Sequence, residues 1–338
     1  MARITIADTD VSFECASDDS ILRAGLRAGL NLPYECNVGS CGTCKFEVLA
    51  GEVKVLSENA PGLSDRDKKK GRQLACQCLP LIDCTIKVRQ EDGVPAQFSP
   101  KRVKAKLIKT TDITHDIREF QFQSASSAEF VAGQYAMLKV PGVSGERAYS
   151  MSNLPNEEGV WSFMIRRVPN GQGTKILFDS LKLNDEIEID GPFGKAYFRS
   201  DSERNIVCVA GGSGLAPMLS IARAWSHQGK TNNQRLTFFY GGRQPRDICG
   251  ESMLQELPEF NQQLQFVPSV SVLDADTSQT WQGRTGFIHE VMNNYDGVDY
   301  ASSDFYIAGP PVMTQAIMDF LRETHSVPHD RIYFDRFF

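Results

Sequence analysis

A chain of 338 residues with 41% hydrophobic and 23% charged side chains holds enough apolar matter for two or three separately packed cores, which excludes a disordered or fibrous protein. The net charge of −6 argues against nucleic acid as a partner and weakly for a partner with a basic face. No apolar run approaches the ~18 residues that span a bilayer, no signal-peptide core is present, and nine cysteines without export signals point to a reducing cytoplasm.

In chain order, Arg3 to Cys15 predicts two short strands about a turn at Asp8-Thr9-Asp10. Asp18-Asp19-Ser20 offers cap chemistry for a helix from Ile21 to Leu30, with Leu22, Leu26 and Leu30 on one face and Pro33 as its stop. The stretch Tyr34 to Cys44 follows, Y-E-C-N-V-G-S-C-G-T-C. Cys36, Cys41 and Cys44 have four and then two residues between them, and Cys76 comes after 31 more, the plant-type iron–sulfur spacing. A [2Fe–2S] cluster needs four thiolates, two per iron. Small residues such as Gly39, Ser40, Gly42 and Thr43 let a loop wrap it and aim backbone N–H groups at sulfur. Cys41 and Cys44 alone would also suit half a zinc site, a redox pair or a disulfide. Zinc asks for a second C-x2-C or a His pair, whereas Cys76 and Cys78 have one residue between them.

Lys45 to Leu49 reads as a strand, Gly51-Glu52-Val53 turns into another, and Asp83 to Gln90 closes the unit. Lys68-Lys69-Lys70 is a solvated run near a turn, or a contact for an acidic partner. These first ninety or so residues resemble a plant-type ferredoxin domain, and Leu74-Ala75-Cys76-Gln77 is similar to its fourth-ligand segment. The resemblance implies a β-grasp sheet packed on a helix, with the cluster loop near the surface. Cys15, Cys84 and Cys208 read as core residues, Cys78 as sharing a sheet face with a ligand, and Cys249 as a free surface thiol.

Glu91 to Pro100 mixes charge, glycine and proline without periodicity and reads as a linker. It separates residues 1–93 from a second unit, 101–199, and a third, 200–338. The second shows closely spaced strand signals at Val103–Leu107, Ile117–Phe122, Tyr135–Val140, Trp161–Val168 and Glu186–Ile189, which suggest a small barrel. Within it, Arg147-Ala148-Tyr149-Ser150 resembles the R-x-Y-S motif of the ferredoxin–NADP reductase family, whose flavin domain is a six-stranded antiparallel barrel. The resemblance implies that Arg147 takes the pyrophosphate, that the Tyr149 ring stacks on the isoalloxazine, and that Ser150 stands near flavin N5 as the catalytic residue. Met164-Ile165-Arg166-Arg167 is similar to the family's strand lining the flavin. Gly171-Gln172-Gly173-Thr174 resembles a helix opening whose free N–H groups and Thr174 hydroxyl form a phosphate site. Gly191-Pro192-Phe193-Gly194 resembles the family's turn where the flavin domain hands over to the nucleotide domain, a plain tight turn being the alternative.

From Asn205 strands and helices alternate. Ile206 to Ala210 is a continuous apolar run, as in a parallel strand buried on both faces. Gly211-Gly212-Ser213-Gly214-Leu215-Ala216-Pro217-Met218 follows and enters a helix through Ile221 and Ala224, resembling the reductase family's G-G-[ST]-G-x-A-P segment at the nicotinamide end of NAD(P)H. Leu236–Tyr240 is a strand ending in Gly241-Gly242-Arg243, Ile288–Met292 a helix, and Phe305–Ala308 a strand running into Gly309-Pro310-Pro311-Val312-Met313. That last segment resembles the family's C-G-P-x-M motif with Ala308 in place of the cysteine. Among the C-terminal aromatics Phe334 and Phe337 read first as core; shielding of the flavin by Phe337 and Phe338 is the second reading.

The fold class is thus multi-domain: an α+β ferredoxin, a β barrel and an α/β parallel-sheet nucleotide domain. This order resembles that of the reductase components of bacterial multicomponent aromatic oxygenases. The resemblance implies an oxidoreductase with three cofactors, a [2Fe–2S] cluster, FAD rather than FMN, and NADH rather than NADPH. A nucleotide delivers two electrons as hydride and the cluster takes one, so a flavin must stand between them. Arg243 and Arg246 could meet a 2′-phosphate, but Asp247 beside them weakens that case. The implied recipient is an oxygenase hydroxylase or its small ferredoxin or Rieske protein, served by a monomer with no membrane contact. A stand-alone reductase for a cytochrome or quinone, or a flavin-free iron–sulfur carrier, are the alternatives.

Overall fold

The computed structural model describes residues 1–91, 97–228, 234–273 and 280–337. Strands β1 (Ala2–Ile6) and β2 (Ser12–Cys15) form the expected hairpin, with Asp8 at φ +62° in its turn. Helix α1 (Ile21–Arg27) starts where expected, the Ser20 side chain accepting from the Arg23 amide. It ends before Leu30, because Gly29 turns left-handed at φ +80° and the Leu30 amide closes back on the Gly25 carbonyl. Strands β3 (Lys45–Ala50) and β4 (Val53–Val55) follow, then α2 (Asp65–Lys69), β5 (Arg72–Leu74), β6 (Cys78–Pro80) and β7 (Cys84–Val88). The sheet order is β2-β1-β7-β3-β5, with β4 and β6 paired beside it. The lysine run is exposed and leads into a turn at Lys70-Gly71, as expected, at the end of a short helix capped reciprocally by Ser64 and Asp67.

The second unit comprises β8 (Lys101–Asp112), β9 (Ile117–Ser124), β10 (Tyr135–Lys139), β11 (Arg147–Ser150), β12 (Val160–Arg166), α3 (Gln172–Asp179) and β13 (Glu186–Phe193). Its six strands are antiparallel in the order β11-β10-β13-β8-β9-β12, and a bridge from Met151 to Phe163 brings the two edges together as a near-closed barrel. Gly191 to Phe193 form no turn. They continue β13, with Gly191 opposite Lys101 and Phe193 opposite Tyr135, and the turn begins only at Gly194 (φ +104°). A Cβ on Gly191 would stand 2.9 Å from that of Ala136, so glycine lets β13 lie flush on β10.

The third unit runs β14 (Asn205–Gly211), α4 (Leu215–His227), β15 (Leu236–Gly242), α5 (Glu251–Gln255), β16 (Leu264–Val270), β17 (Arg284–Thr285), α6 (Ile288–Asn293), β18 (Ser303–Gly309), α7 (Pro311–Asp319) and β19 (Ile332–Arg336). All strands are parallel, in the order β17-β16-β15-β14-β18-β19. Because β14 and β18 are neighbours in space but far apart in sequence, their carboxyl ends form the switch point where open α/β sheets bind ligands. Gly211, Gly212 and Gly309 stand there. A Cβ on Gly214 would lie 2.1 Å from the Ala308 carbonyl oxygen, with backbone on both sides. Gly214→Ala therefore forces the turn between β14 and α4 away from the end of β18 and is expected to cost about 1–3 kcal/mol, read as an earlier thermal unfolding of this unit.

The units are joined through buried contacts. The first unit's core continues into the barrel through Tyr135, Met137 and Phe193. Beside it, Arg27 forks onto Asp190 with both Nη–Oδ distances at 2.7 Å, and its Nε reaches Asp19 at 2.8 Å. Arg23 pairs with Glu146 and Asp190, and Arg102 of β8 with Asp18 and Asp19. The expected linker lies partly outside the described residues; at its near side the Glu91 amide bonds the Asn31 carbonyl and its carboxylate pairs with Lys195. No helix among the described residues is long and apolar enough to cross a membrane.

Candidate functional site

The cysteine loop is the first component. Asn37, Gly39 and Gly42 all take positive φ, and a Cβ on Gly42 would meet the Gly62 carbonyl oxygen at 2.4 Å, so the small residues fold the loop against the 60–63 segment. The amides of Ser40 and Cys41 both donate to Cys36 Sγ at 3.3 Å, and the Thr43 amide donates to Cys41 Sγ at 3.4 Å. The four thiols fall into two pairs, Cys36 with Cys41 and Cys44 with Cys76, the latter 3.4 Å apart. Two pairs of thiols under aimed amides suit a two-iron centre, and among the described residues no three His, Cys, Asp or Glu side chains converge on a single metal position. Cys36, Cys44 and Cys76 are buried, while Cys41 and Gly42 are half-buried and Thr43 is exposed, so one rim of the loop reaches the surface.

The barrel supplies the second. Arg147 is exposed, its Nη1 donating to the nearby carbonyls of Ser144 and Glu146, and its stem lies against Gly173 at the start of α3. No side chain caps that helix start, so a guanidinium and a free helix N-terminus stand together, a donor set suited to a phosphate. Thr174 does not join them: its hydroxyl is buried and bonds within the turn, to Gly171 and Val168, because the turn itself needs an internal brace. Tyr149 is half-buried on the strand that Arg147 begins, its phenol pushed up to about 12 by burial. Ala148 packs toward the first unit's core, and Ser150 is buried opposite Tyr135 in the ladder. Along β12, Met164 faces the core shared with the nucleotide unit, whereas Ile165 points into the barrel and can offer only backbone to a ligand. Arg166 stands between the units: Nε donates to Asp116 at 2.7 Å, and its guanidinium lies 3.9 Å from where a Gly212 Cβ would be.

The sheet edge is the third. Gly212 is at φ +57° and Gly309 at φ +152°, and a Cβ on Gly211 or Gly309 would strike Met313 at 2.6 Å, so Met313 supports both glycines from beneath. Ser213 is half-buried in that turn, and Pro217 is buried in the first turn of α4. Pro310 and Pro311 open α7 beside it. Gly241 lies against Ile288. The Arg243 and Gln244 amides donate to Asp247 Oδ2 at 3.1 and 2.9 Å, which leaves the Arg243 side chain exposed at the rim. Cys249 is not a free surface thiol. It is half-buried with Sγ 3.1 Å from the Tyr240 hydroxyl, which in turn donates to the Gly212 carbonyl, and burial pushes the thiol up to about 11.

Several residues here carry no short-range sequence signal. The C-terminal segment is strand β19, which places Asp335 beside Ala308. Asp335 is buried, its Oδ2 has no hydrogen-bond donor among the described residues, and burial followed by the charge of Glu35 pushes its carboxyl up to about 8. Phe334 packs in the core as expected; the Phe337 amide donates to the Gly309 carbonyl and its ring packs against the nucleotide unit, while Phe338 lies outside the described residues.

Three family models match in succession: the 2Fe-2S iron-sulfur cluster binding domain over residues 4–81, the oxidoreductase FAD-binding domain over 104–198, and the oxidoreductase NAD-binding domain over 208–319. The chain is 38% identical to a ferredoxin–NAD(P)+ reductase of Metapseudomonas resinovorans, covering 96% of both. It is 37% identical to the ferredoxin–NAD+ reductase component of an alkene monooxygenase system of Xanthobacter autotrophicus, over 96% of this chain and 98% of that one. In three dimensions it overlays the ferredoxin reductase in carbazole 1,9a-dioxygenase with a TM-score of 0.90 at 35% identity, covering 100% of this chain and 98% of the other.

Proposed function

We propose a function from one premise: the chain belongs to the family of NAD(P)H-dependent oxidoreductases with a [2Fe–2S] domain, an FAD-binding domain and an NAD-binding domain in that order, the reductase components of bacterial oxygenase systems. It is an oxidoreductase that carries electrons from NAD(P)H to an oxygenase or ferredoxin component. Bound FAD would supply the conversion between a paired and a single electron, and the cluster the one-electron outlet.

The chain's own residues hold and orient. Arg147 and the α3 start would bind the flavin phosphates, Tyr149 would offer its ring to the isoalloxazine, and the buried Ser150 would offer its hydroxyl to the flavin's reacting edge. Gly171 and Gly173 keep the phosphate approach open. Gly211, Gly212, Ser213, Gly214 and Pro217 admit the nucleotide to the backbone at the switch point, with Gly309, Pro310, Pro311 and Gly241 as the facing wall. Cys36, Cys41, Cys44 and Cys76 would hold the irons. The observation that carries the reading is that one barrel seats both neighbours, the cysteine loop against Tyr135 and the glycine turn against Arg166.

Anaerobic addition of NADH to the cofactor-loaded chain should bleach flavin and then iron–sulfur absorption, and an oxidised small ferredoxin should restore both. Iron left oxidised would refute the reading. Arg147→Ala removes a charge-assisted contact of about 1.5–3 kcal/mol, so retention of FAD should weaken roughly ten- to hundredfold, measured by equilibrium dialysis. The nucleotide we assign is NADH, because the Asp247 carboxylate sits under the Arg243 loop where a 2′-phosphate would want positive charge. kcat/KM for NADH should exceed that for NADPH by at least about tenfold, a difference of ~1.4 kcal/mol.

A further inference from the structure

The cysteine loop and the barrel meet in a polar contact directly behind a ligand. Tyr135 of β10 is 4% exposed, and its hydroxyl donates to the Glu35 carbonyl oxygen at 2.7 Å. Glu35 precedes Cys36, so that carbonyl carbon is bonded to the Cys36 nitrogen, and only the Cys36 backbone N, Cα and Cβ then lead to sulfur. On its other side Tyr135 is the ladder partner of Ser150, and directly opposed residues share a sheet face. A single side chain thus touches the peptide of an iron ligand and neighbours the flavin-side serine.

The contact is held from both sides. Phe193 packs between the two tyrosines, with ring centroids 6.0 Å from Tyr135 and 6.5 Å from Tyr34. The Gly194 amide donates to the Tyr34 hydroxyl at 3.0 Å, and the buried Arg27–Asp190 fork clamps the units nearby. Other polar contacts across this seam avoid the ligand's peptide: Tyr34 bonds two residues ahead of Cys36, and Arg336 meets only the Glu35 side chain, at 3.8 Å. A hydrogen bond in such a low-dielectric interior is stronger than one in water.

We propose that Tyr135 is the bridge by which an electron crosses from the flavin chamber to the iron–sulfur loop, entering at Cys36. The inference rests on the function read above. One electron leaves the reduced flavin and one arrives at the iron centre. The phenol keeps its proton and its own electrons, and no covalent bond forms or breaks. Entry at Cys36 leaves the rim at Cys41, Gly42 and Thr43 as the exit toward the acceptor.

The test uses the full chain loaded with FAD and cluster, as wild type, Tyr135→Phe and Tyr34→Phe. The second variant loses an interdomain hydrogen bond without touching Glu35. After rapid anaerobic mixing with NADH, flavin absorbance and the electron paramagnetic resonance signal of the reduced cluster are followed separately, and redox titration gives both potentials. Tyr135→Phe is expected to slow cluster reduction about tenfold, the scale of losing an outer-shell partner, with potentials, iron and FAD content unchanged, while Tyr34→Phe keeps the wild-type rate. A wild-type rate in Tyr135→Phe overturns the bridge. So does equal slowing in both variants, which would make the effect one of domain seating, or a shift in cluster potential large enough to account for it. A wild-type chain that takes up no FAD or leaves its iron oxidised refutes the functional reading itself, and the bridge with it.

Discussion

Cys76→Ser will yield a protein that has lost its iron and transfers electrons to a ferredoxin or cytochrome at least about a hundredfold more slowly, because a single outer-shell loss already costs ten- to hundredfold and this removes a ligand. Cys76 is 1% exposed, its sulfur is 3.4 Å from that of Cys44, and the Ala75 amide donates to the Cys44 carbonyl, so the two segments are already drawn together. A serine hydroxyl is a poor substitute for a thiolate at iron, and its short C–O bond cannot reach the same point. Iron and sulfide analysis measures the loss, and NADH-driven reduction of a flavin-level dye such as ferricyanide separates it from unfolding. Retention of a full [2Fe–2S] complement would exclude Cys76 as a ligand. The alternative of a flavin-free carrier predicts no dye reduction in either protein.

Asp190→Ala is expected to destabilise the junction of the first unit and the barrel by about 3–5 kcal/mol, the usual result of removing one partner of a buried ion pair. Its side chain is 1% exposed, and it accepts two 2.7 Å hydrogen bonds from Arg27 as well as facing Arg23 and Arg102. Without it, the carboxylates that remain to face Arg23, Arg27 and Arg102 among the described residues are those of Asp18, Asp19 and Glu146, in a seam from which water is largely excluded. A guanidinium group is not deprotonated in proteins, so these arginines cannot shed the charge instead. Because a chain of three units need not unfold in one step, the readout is the first transition in a thermal scan, together with protease cleavage between the first unit and the barrel. Glu129→Ala, which breaks the exposed Lys101–Glu129 pair, should leave both measurements unchanged. Equal behaviour of the two variants would show that the cluster of charges does not hold the units together.

The ion cluster and the tyrosine bridge share a feature: their partners are remote in sequence. Arg27 and Asp190 are 163 residues apart, and Tyr135 and Glu35 are 100 apart. No period or spacing relates such pairs. Strand β13 shows the same limit on a smaller scale: Gly-Pro-Phe-Gly has the composition of a turn, yet Gly191 to Phe193 pair with β8 and β10 because those neighbours offer unmet backbone groups. Likewise Cys249, flanked by glycine, looks like a surface thiol until Tyr240 is brought over it. The Thr174 hydroxyl has the spacing of a phosphate ligand, but the turn closes on it first.

What could be read directly was local structure whose parts lie within a few residues of one another. The thiols at Cys36, Cys41 and Cys44, the Arg147-Ala148-Tyr149-Ser150 strand, the glycine turn at Gly211 to Gly214 and the Ser20 cap each act through backbone geometry that the local residues themselves dictate. The order of the three units followed from those motifs. Tertiary packing alone decided how the units lean on one another, that the last residues form β19 at the sheet edge, that Asp335 is carried to Ala308, and that a barrel tyrosine lies behind an iron ligand. Side-chain chemistry proposes such contacts, but only the closing of distant strands into one core puts the partners within bonding distance.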